Sequence, residues 1–260
     1  MSISIDEPVA TVEYNSVIGK AQHILGAFTA EDSSLSLTDL VRRTGIAKAT
    51  VYRLAQELVQ WGVLERVGTD YRLGLRLFEL GQQVPRQRIL RDAALPHMVE
   101  LLMSTHETVH FAVCDGLDTL CIEKIIINRG LKQQTRMAGR LPLYCTATGK
   151  IFLAMSSPGL VNRCVQAGLV PLTRHTIRSS AILARQLEKV RQDQYATEAE
   201  ETRLGYGSVA VPVMGPGGRL VGALSVTTST VRLDVNRLVG PLRTASTRIT
   251  RSLQTGLQTG

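Results

Sequence analysis

One segment of the chain, residues 36–64, carries basic and hydrogen-bonding side chains at helical spacing. At about 100° per residue, Val51, Leu54, Ala55 and Leu58 form one apolar stripe that would face a core. The opposite arc carries Lys48, Ala49, Tyr52, Arg53 and Gln56. In the major groove of DNA, arginine and lysine donate to guanine, and glutamine pairs with adenine. The residue types on this arc therefore predict contacts to base edges.

Phosphate contacts are predicted for the basic residues around this arc. From position 40 to position 56 the sequence has four basic residues and no acidic one. Phosphate oxygens would therefore meet an unopposed positive strip. The predicted DNA-binding residues are Arg42, Arg43, Lys48, Ala49, Thr50, Tyr52, Arg53, Gln56, Arg66 and Arg72.

The elements around this arc are predicted to form a winged helix-turn-helix. Ser36 is expected to cap a first helix over residues 37–44, and Gly45 supplies the tight turn before the second helix. Gly62 ends that helix, and residues 63–67 and 71–74 have the composition of two short strands around a polar turn. This hairpin would be a wing carrying Arg66 and Arg72.

The rest of the sequence predicts a second domain joined by a linker. Residues 1–14 are polar and unpatterned and are expected to be disordered. The winged helix would span residues 15–84, opening with a helix capped by Ser16, and a linker helix would span 85–106. Residues 107–260 contain two predicted hairpins, 109–127 and 208–227, with helices between and after them. This mixture is typical of an α+β fold with an antiparallel sheet.

The charge of the chain supports a nucleic-acid partner only through its local placement. The net charge is +8 and the isoelectric point is near 9.6. Residues 1–85 nevertheless carry eight basic and ten acidic side chains, so the predicted DNA-binding domain is net negative.

The composition also predicts the cellular setting. No apolar run approaches the roughly 18 residues that a membrane span needs, and no basic segment precedes an apolar block near the N-terminus. The four cysteines, Cys114, Cys121, Cys145 and Cys164, show no CxxC spacing. We therefore expect a cytoplasmic protein in a reducing compartment, with no membrane partner, no metal site and no cofactor.

Two groups that could support catalysis lack the surroundings that catalysis needs. The glycine-rich segment 214–222 lies between two strand-like runs, whereas a dinucleotide-binding loop joins a strand to a helix. His110, Asp115 and Ser208 could be arranged as a hydrolase triad, but no GxSxG motif surrounds any serine.

Neither Cys145 nor the acidic pair Glu200 and Glu201 changes this view. Cys145 has no nearby cation in the sequence that would lower its pKa, and the two glutamates are expected to face solvent. The sequence therefore predicts no catalytic residue and a protein that is not an enzyme.

The first domain resembles the winged helix of the IclR family of bacterial transcriptional regulators in the segments SVIGKAQHILGAF, LSLTDLVRRTGIAKATVYRLAQELVQWGVLERV and YRLGLRLFELG. The second domain resembles that family's effector-binding domain, which is GAF-like, in HETVHFAVCDGLDTLCIEKI, GRLPLYCTATGKIFLA, EETRLGYGSVAVPV and GALSV. The resemblance runs from about Asn15 to Ser252. Ala47 and Ala49 stand where the family more often has proline and serine, and Ser208 stands where it commonly has cysteine.

The resemblance also implies where a small effector binds, namely between the loop before a helix and two strands. Small residues at a helix start leave backbone N–H groups that attract a carboxylate, and alternate strand positions place hydroxyls on one face. Glu198 would close this site from the side. The implied ligand-binding residues are Ala147, Thr148, Gly149, Glu198, Tyr206, Ser208, Ser225 and Thr227.

The function implied by the resemblance is that of a homodimeric or homotetrameric regulator. Its winged helices would bind a near-palindromic double-stranded DNA operator, and its second domain would sense a small organic acid. We expect repression of a catabolic operon, although an activator of the same architecture is equally compatible. Two other classes stay open: an enzyme whose winged helix is only an interaction module, and an architectural DNA binder whose second domain has a closed apolar core.

Overall fold

The computed structural model describes residues 16–29, 31–126 and 137–255. The predicted disorder of residues 1–14 lies outside the described residues. The chain divides into two compact units between Arg88 and Ile89, and this division falls within helix α5 (Pro85–Thr105). The sequence placed the first boundary at residue 84, just ahead of that helix.

The first unit contains helices α1 (Val17–Gly26), α2 (Leu37–Thr44) and α3 (Lys48–Gln60), strands β1 (Leu64–Val67) and β2 (Asp70–Leu73), and helix α4 (Leu75–Gln82). The hydroxyls of Ser16 and Ser36 accept hydrogen bonds of 2.9 and 3.1 Å from the backbone N–H groups of Gly19 and Asp39. Both predicted N-caps are therefore confirmed. Gly45 has a φ of 67°, the left-handed conformation in which α2 ends before the tight turn.

The apolar stripe of α3 lies in the core of this unit. Its four predicted residues are all buried, and they cluster with apolar side chains from α1, α2 and the wing. Tyr71 on β2 is 1% exposed, and its backbone exchanges two hydrogen bonds of 2.8 Å with Leu35. These contacts hold α3 against the wing with its polar arc facing outward.

The second unit is built on an antiparallel sheet that, among the described residues, has six strands in the order β5-β4-β3-β8-β7-β6. Its strands are β3 (Thr108–Asp115), β4 (Asp118–Ile125), β5 (Arg140–Pro142), β6 (Ala196–Ala199), β7 (Tyr206–Met214) and β8 (Leu220–Ser229). Its remaining helices are α6 (Ala147–Met155), α7 (Pro158–Gln166), α8 (Ser180–Asp193) and α9 (Val235–Thr255). The α+β architecture with an antiparallel sheet is confirmed.

Different helices cover the two faces of this sheet. One face packs with α5 and α9 around a core that includes Val211 and Leu224. The other face packs with α6, α7 and α8, and there the strands contribute the small residues Ala210 and Ala223. Because successive residues of a strand point to opposite faces, this second face also receives the even-numbered positions of β7 and the odd-numbered positions of β8.

Three elements were not predicted from the sequence: α4, β5 and β6. β5 and β6 have only three and four residues, too short for alternation to be visible, and both lie at the edges of the sheet. α4 forms directly after the wing and leaves Leu75 and Phe78 largely exposed. Its sequence therefore does not show the buried stripe that helix prediction depends on.

Candidate DNA-binding surface and ligand cavity

The polar arc of α3 is on the surface, as predicted. Lys48, Ala49, Tyr52 and Arg53 are exposed, and Thr50 and Gln56 are half-buried. Ala47 occupies the N-cap position, and no side chain caps the start of this helix. The first backbone N–H groups of α3 therefore lack the hydrogen bond that a serine or aspartate at this position would supply.

The predicted strip of unopposed positive charge is wrong, because acidic residues outside positions 40–56 reach it. Arg43 donates to both carboxylate oxygens of Asp32 at 2.6 and 2.9 Å and to the carbonyl oxygen of Ala27 at 2.9 Å. This bidentate contact holds the pKa of Asp32 well below its usual range. Arg43 thus fastens the loop after α1 to α2, whereas the sequence had assigned it to DNA alone.

The other arginines of this surface form looser, more exposed ion pairs. Arg42 lies 2.7 Å from Asp39 on its own helix, and its side chain is 72% exposed. Arg53 lies 3.8 Å from Glu57 with its side chain 64% exposed. The wing residue Arg72 pairs with Glu65 across the hairpin at 2.7 Å. Exposed pairs of this kind contribute little stability, so these guanidinium groups remain available to phosphate or base oxygens.

Tyr71 joins α3 to the wing. The Gln56 amide donates a 3.1 Å hydrogen bond to the Tyr71 hydroxyl, and the Arg66 guanidinium lies 5.6 Å from the centre of the Tyr71 ring. Both predicted DNA-binding side chains therefore have intramolecular partners. These contacts fix the position of the wing relative to α3.

A cavity of about 100 Å³ lies in the second unit, on the face of the sheet that carries α6. It is lined by seven of the eight implied ligand-binding residues: Ala147, Thr148, Glu198, Tyr206, Ser208, Ser225 and Thr227. Gly149 does not line it. A Cβ at Gly149 would come within 2.1 Å of the Leu143 carbonyl oxygen, so Gly149 allows the helix start to pack closely on the preceding segment.

A chain of hydrogen bonds crosses this cavity. Ser208 Oγ donates to Glu198 Oε1 at 2.9 Å and lies 2.8 Å from Thr227 Oγ1, which lies 3.4 Å from His110 Nδ1. The other oxygen of Glu198 accepts the Glu201 backbone N–H at 3.1 Å. The hydrolase triad considered from the sequence, His110, Asp115 and Ser208, does not form, because Ser208 contacts Glu198 and Thr227 instead.

Burial shifts the pKa values of the two residues at the ends of this hydrogen-bond chain. Glu198 is 4% exposed, and desolvation, with Glu201 nearby, raises its pKa to about 7 against the hydrogen bond from Ser208. Burial and the charge of Lys124 lower the pKa of His110 to about 3. His110 is therefore neutral at physiological pH, and Glu198 titrates within that range.

A buried ion pair lies beneath the cavity. The ammonium group of Lys150, on α6, donates to a carboxylate oxygen of Glu201 and, at 3.0 Å, to the Thr197 carbonyl oxygen of β6. Lys150 is 1% and Glu201 6% exposed. The expectation that Glu201 faces solvent is therefore wrong, while Glu200 is half-buried.

Positive side chains that sequence analysis missed also line the cavity: Lys124, Arg203 and Arg232. The Arg203 guanidinium lies 4.4 Å from the centre of the Tyr206 ring, and Arg232 pairs with Glu107 at 3.1 Å. These residues come from separate loops and strands and form no motif, so nothing in the sequence could have grouped them. They bring positive charge to a cavity whose interior carries Glu198.

The cysteines and acidic residues do not form a redox or metal centre in the part of the chain that the structure describes. Burial raises the pKa of the Cys145 thiol to about 12, so Cys145 behaves as an inert core residue. Within the described ranges, no cluster of His, Cys, Asp or Glu is arranged to hold a metal ion. No described helix is long and apolar enough to cross a membrane.

Two family models match the chain: the IclR helix-turn-helix domain over residues 17–68 and the C-terminal domain of bacterial IclR transcriptional regulators over residues 82–251. The chain belongs to the IclR family. It is thus a DNA-binding transcriptional regulator, and the matching families are regulators rather than enzymes.

Individual IclR-family proteins are similar along most of their length. The HTH-type transcriptional regulator XynR of Escherichia coli K12 is 31% identical over 220 residues, covering 84% of this chain and 87% of XynR. The DNA-binding transcriptional repressor YiaJ of the same strain is 31% identical over 226 residues, covering 84% of this chain and 80% of YiaJ. An IclR homologue of Microbacterium hydrocarbonoxydans, crystallised with 4-hydroxybenzoate, has a TM-score of 0.86 at 26% identity, covering 92% of this chain and 100% of that one.

Arg43→Ala is expected to lower the thermal unfolding midpoint of the first unit, because it removes the bidentate contact with Asp32 and the hydrogen bond to Ala27. Arg42→Ala is the matched control, since it removes an exposed guanidinium that pairs within its own helix. Unfolding can be followed by the fluorescence of Trp61, the single tryptophan of the chain, which lies in this unit. Equal midpoints for the two variants would show that Arg43 is only a surface charge.

Glu198→Gln is expected to weaken the pH dependence of stability. Between the ordinary pKa of 4.5 and the folded value of about 7, the folded protein holds a proton that the unfolded chain releases. The free energy of unfolding of the wild type therefore falls as pH rises through this window and stays low above it, by up to about 3 kcal/mol for the full shift.

Urea unfolding at pH 5 and pH 8 measures this difference. Glu198→Gln should be more stable relative to wild type at pH 8 than at pH 5, whereas Glu188→Gln, on an exposed part of α8, should follow the wild type at both. Parallel pH profiles for wild type and Glu198→Gln would contradict a buried, titrating Glu198.

Proposed function

We propose that this IclR-family regulator is a cytoplasmic repressor of a catabolic operon whose operator binding is modulated by a small organic acid. The observation that carries the proposal is the cavity beside the start of α6. It combines hydroxyls on neighbouring strands with arginine and lysine side chains at one site. The naming of YiaJ as a repressor and the 4-hydroxybenzoate in the Microbacterium structure support both parts of the proposal.

The DNA-binding half of the proposal rests on the exposed arc of α3. Lys48, Tyr52 and Arg53 are exposed and side by side on that arc, and the uncapped N-terminus of α3 offers backbone N–H groups to a phosphate. Because one such helix reads only a few base pairs, we propose a homodimer or a homotetramer on a near-palindromic operator. Half-sites on one face of the duplex would lie about 34–36 Å apart or at a multiple of that distance.

The ligand half of the proposal rests on the geometry at α6. Thr146 Oγ1 accepts the Gly149 N–H at 3.0 Å, which leaves the Ala147 and Thr148 N–H groups at the helix start next to the cavity. The N-terminal end of a helix favours an anion, as do the three cationic side chains of the lining. A carboxylate is one of the anionic groups that hydroxyl and backbone N–H donors of this kind bind.

Whether the protein represses or activates depends on whether its acid-free or its acid-bound form binds the operator more tightly. A coupling of about 1–3 kcal/mol between the two sites would change operator affinity by roughly 5- to 150-fold. The helix α5 is the covalent connection along which the two units are joined. An activator would tighten or reshape operator binding on adding the acid, whereas the proposed repressor releases it.

Arg53→Ala is expected to weaken specific operator binding by about 1–3 kcal/mol, the range for a lost bidentate base contact. Binding to random DNA should change much less. The operator is first located by footprinting on the DNA flanking the gene, and both affinities are then measured at one salt concentration. Arg42→Ala serves as the control for a phosphate contact and should reduce the logarithmic salt slope by about 0.9 on any sequence. Equal losses of affinity for operator and random DNA in Arg53→Ala would show that Arg53 contacts the phosphate backbone of DNA and not the bases.

Small carboxylic acids are expected to stabilise the second unit, whereas their amides are not. An acid present at 100 times its dissociation constant would add about 2.7 kcal/mol to the free energy of unfolding, which a thermal-shift panel of matched acids and amides detects. Acids that stabilise the protein are then added to the operator complex. A panel in which amides stabilise as well as acids would remove the carboxylate from the proposal, and operator affinity unchanged by every stabilising acid would remove the effector role.

A further inference from the structure

The number of protons on its groups determines the direction in which the hydrogen-bond chain of the cavity donates. It runs from His110 through Thr227 and Ser208 to Glu198 over three contacts of 3.4, 2.8 and 2.9 Å. Each hydroxyl has a single proton to donate, so the direction in which one hydroxyl donates determines the direction of the next. The two ends of the chain, Glu198 and His110, are 4% and 6% exposed, so both ends are largely shielded from bulk water.

An ionised Glu198 orders the chain in one direction. A carboxylate only accepts hydrogen bonds, so Ser208 must donate to Glu198. Thr227 then donates to Ser208, and the Nδ1–H tautomer of His110 donates to Thr227. In this state both hydroxyl protons are used within the chain, which differs from the expectation that Ser208 and Thr227 donate to a bound carboxylate.

A protonated Glu198 orders the chain in the opposite direction. Its Oε2 already accepts the Glu201 N–H, so Oε1 is the oxygen that carries the proton and donates to Ser208. Ser208 then donates to Thr227, Thr227 donates to Nδ1 of His110, and the ring proton of His110 moves to Nε2. The negative charge of Glu198 is gone, and the group that only accepts now lies at the other end of the chain, at Nδ1 of His110.

The groups around Glu198 have opposing effects, so the free energies of its ionised and protonated states lie close together. On the side of α6 lie Lys150, whose charge favours the ionised form, and Cys145 just before that helix, whose thiol is neutral. The loop after β6 brings Glu201, whose charge and the burial of the site oppose ionisation. β3 brings His110, which stays neutral. The other charged groups of the cavity are Lys124, Glu107, Arg203 and Arg232.

The geometry points to Glu198 as the residue that determines which ligand charge the cavity accepts: a carboxylate effector binds together with a proton that Glu198 takes up, and this uptake reverses the hydrogen-bond chain to His110. This inference rests on the proposed effector site. When two carboxylates share an enclosed site, the repulsion between them raises the pKa of one, so the arrival of a ligand carboxylate favours the protonated state of Glu198. A ligand that instead presents a hydroxyl to Glu198 would leave it ionised.

The first experiment follows the tautomer of His110 in the full-length, ligand-free protein. Histidine side chains labelled with ¹⁵N distinguish Nδ1–H from Nε2–H, and a His110→Asn variant assigns the signal among the five histidines. Between about pH 5.5 and pH 9, the range around the titration of Glu198, the wild type should change from Nε2–H to Nδ1–H. Because His110 itself stays neutral throughout, a change in this signal reports the direction of the chain.

Ser208→Ala breaks the chain and should make the His110 tautomer independent of pH. Ser246→Ala is the matched control, because Ser246 is also 8% exposed but donates to the Pro212 carbonyl outside the cavity. It should keep the wild-type change of tautomer. A single tautomer across the whole range in the wild type, or a pH-dependent change that survives in Ser208→Ala, would overturn the inference.

The second experiment measures the affinity of 4-hydroxybenzoate against pH for the wild type and for Glu198→Gln, which cannot ionise. Above the titration of Glu198, the wild-type affinity should fall about tenfold per pH unit, while that of Glu198→Gln should stay constant. Equal slopes would overturn the inference. The first experiment needs no ligand, so a wild type without the tautomer change overturns the inference even where 4-hydroxybenzoate binds neither protein. A lack of operator response to acids bears on the proposed function alone.

Discussion

The buried pair of Lys150 and Glu201 is the contact on which the geometry of the cavity depends. Lys150 belongs to α6, Glu201 to the loop after β6, and the same ammonium group also reaches the β6 backbone at Thr197. It therefore ties the helix whose N-terminus faces the cavity to the strand that carries Glu198. Removing one partner of such a pair is strongly destabilising, because it leaves an uncompensated charge in the interior. The pair thus fixes how far the helix start lies from the acidic side of the cavity.

In the DNA-binding unit, in contrast, only some of the ion pairs stabilise the fold. Arg43 has a rigid, two-pronged contact with Asp32 and serves the fold, whereas Arg42 and Arg53 form exposed pairs that exchange readily with solvent. The chain therefore divides three arginines that look alike in sequence between structural and surface roles. The division follows from loop geometry, since Asp32 lies eleven positions before Arg43.

The sequence predicted what depends on short-range pattern and missed what depends on distant partners. The stripe of α3, the caps at Ser16 and Ser36 and the two hairpins of the second unit follow from periodicity and local chemistry. The pairing of Lys150 with Glu201 joins residues 51 positions apart, and no local rule connects them. The cations of the cavity and the partner of Ser208 were missed for the same reason, while the residues lining the cavity were found through family resemblance rather than through spacing.

Because side chains alternate along β7 and β8, one face of the sheet lines the cavity and the other face belongs to the apolar core. Ser208, Ser225 and Thr227 face the cavity, while their immediate neighbours Val209, Leu224 and Val226 belong to the core that α5 and α9 cover. Close-packed interiors transmit small displacements instead of absorbing them. A displacement of these strands on the cavity side is therefore transmitted to the side chains that pack against α5 and α9. α5 packs on that face of the sheet, and its first turn already belongs to the unit that carries α3.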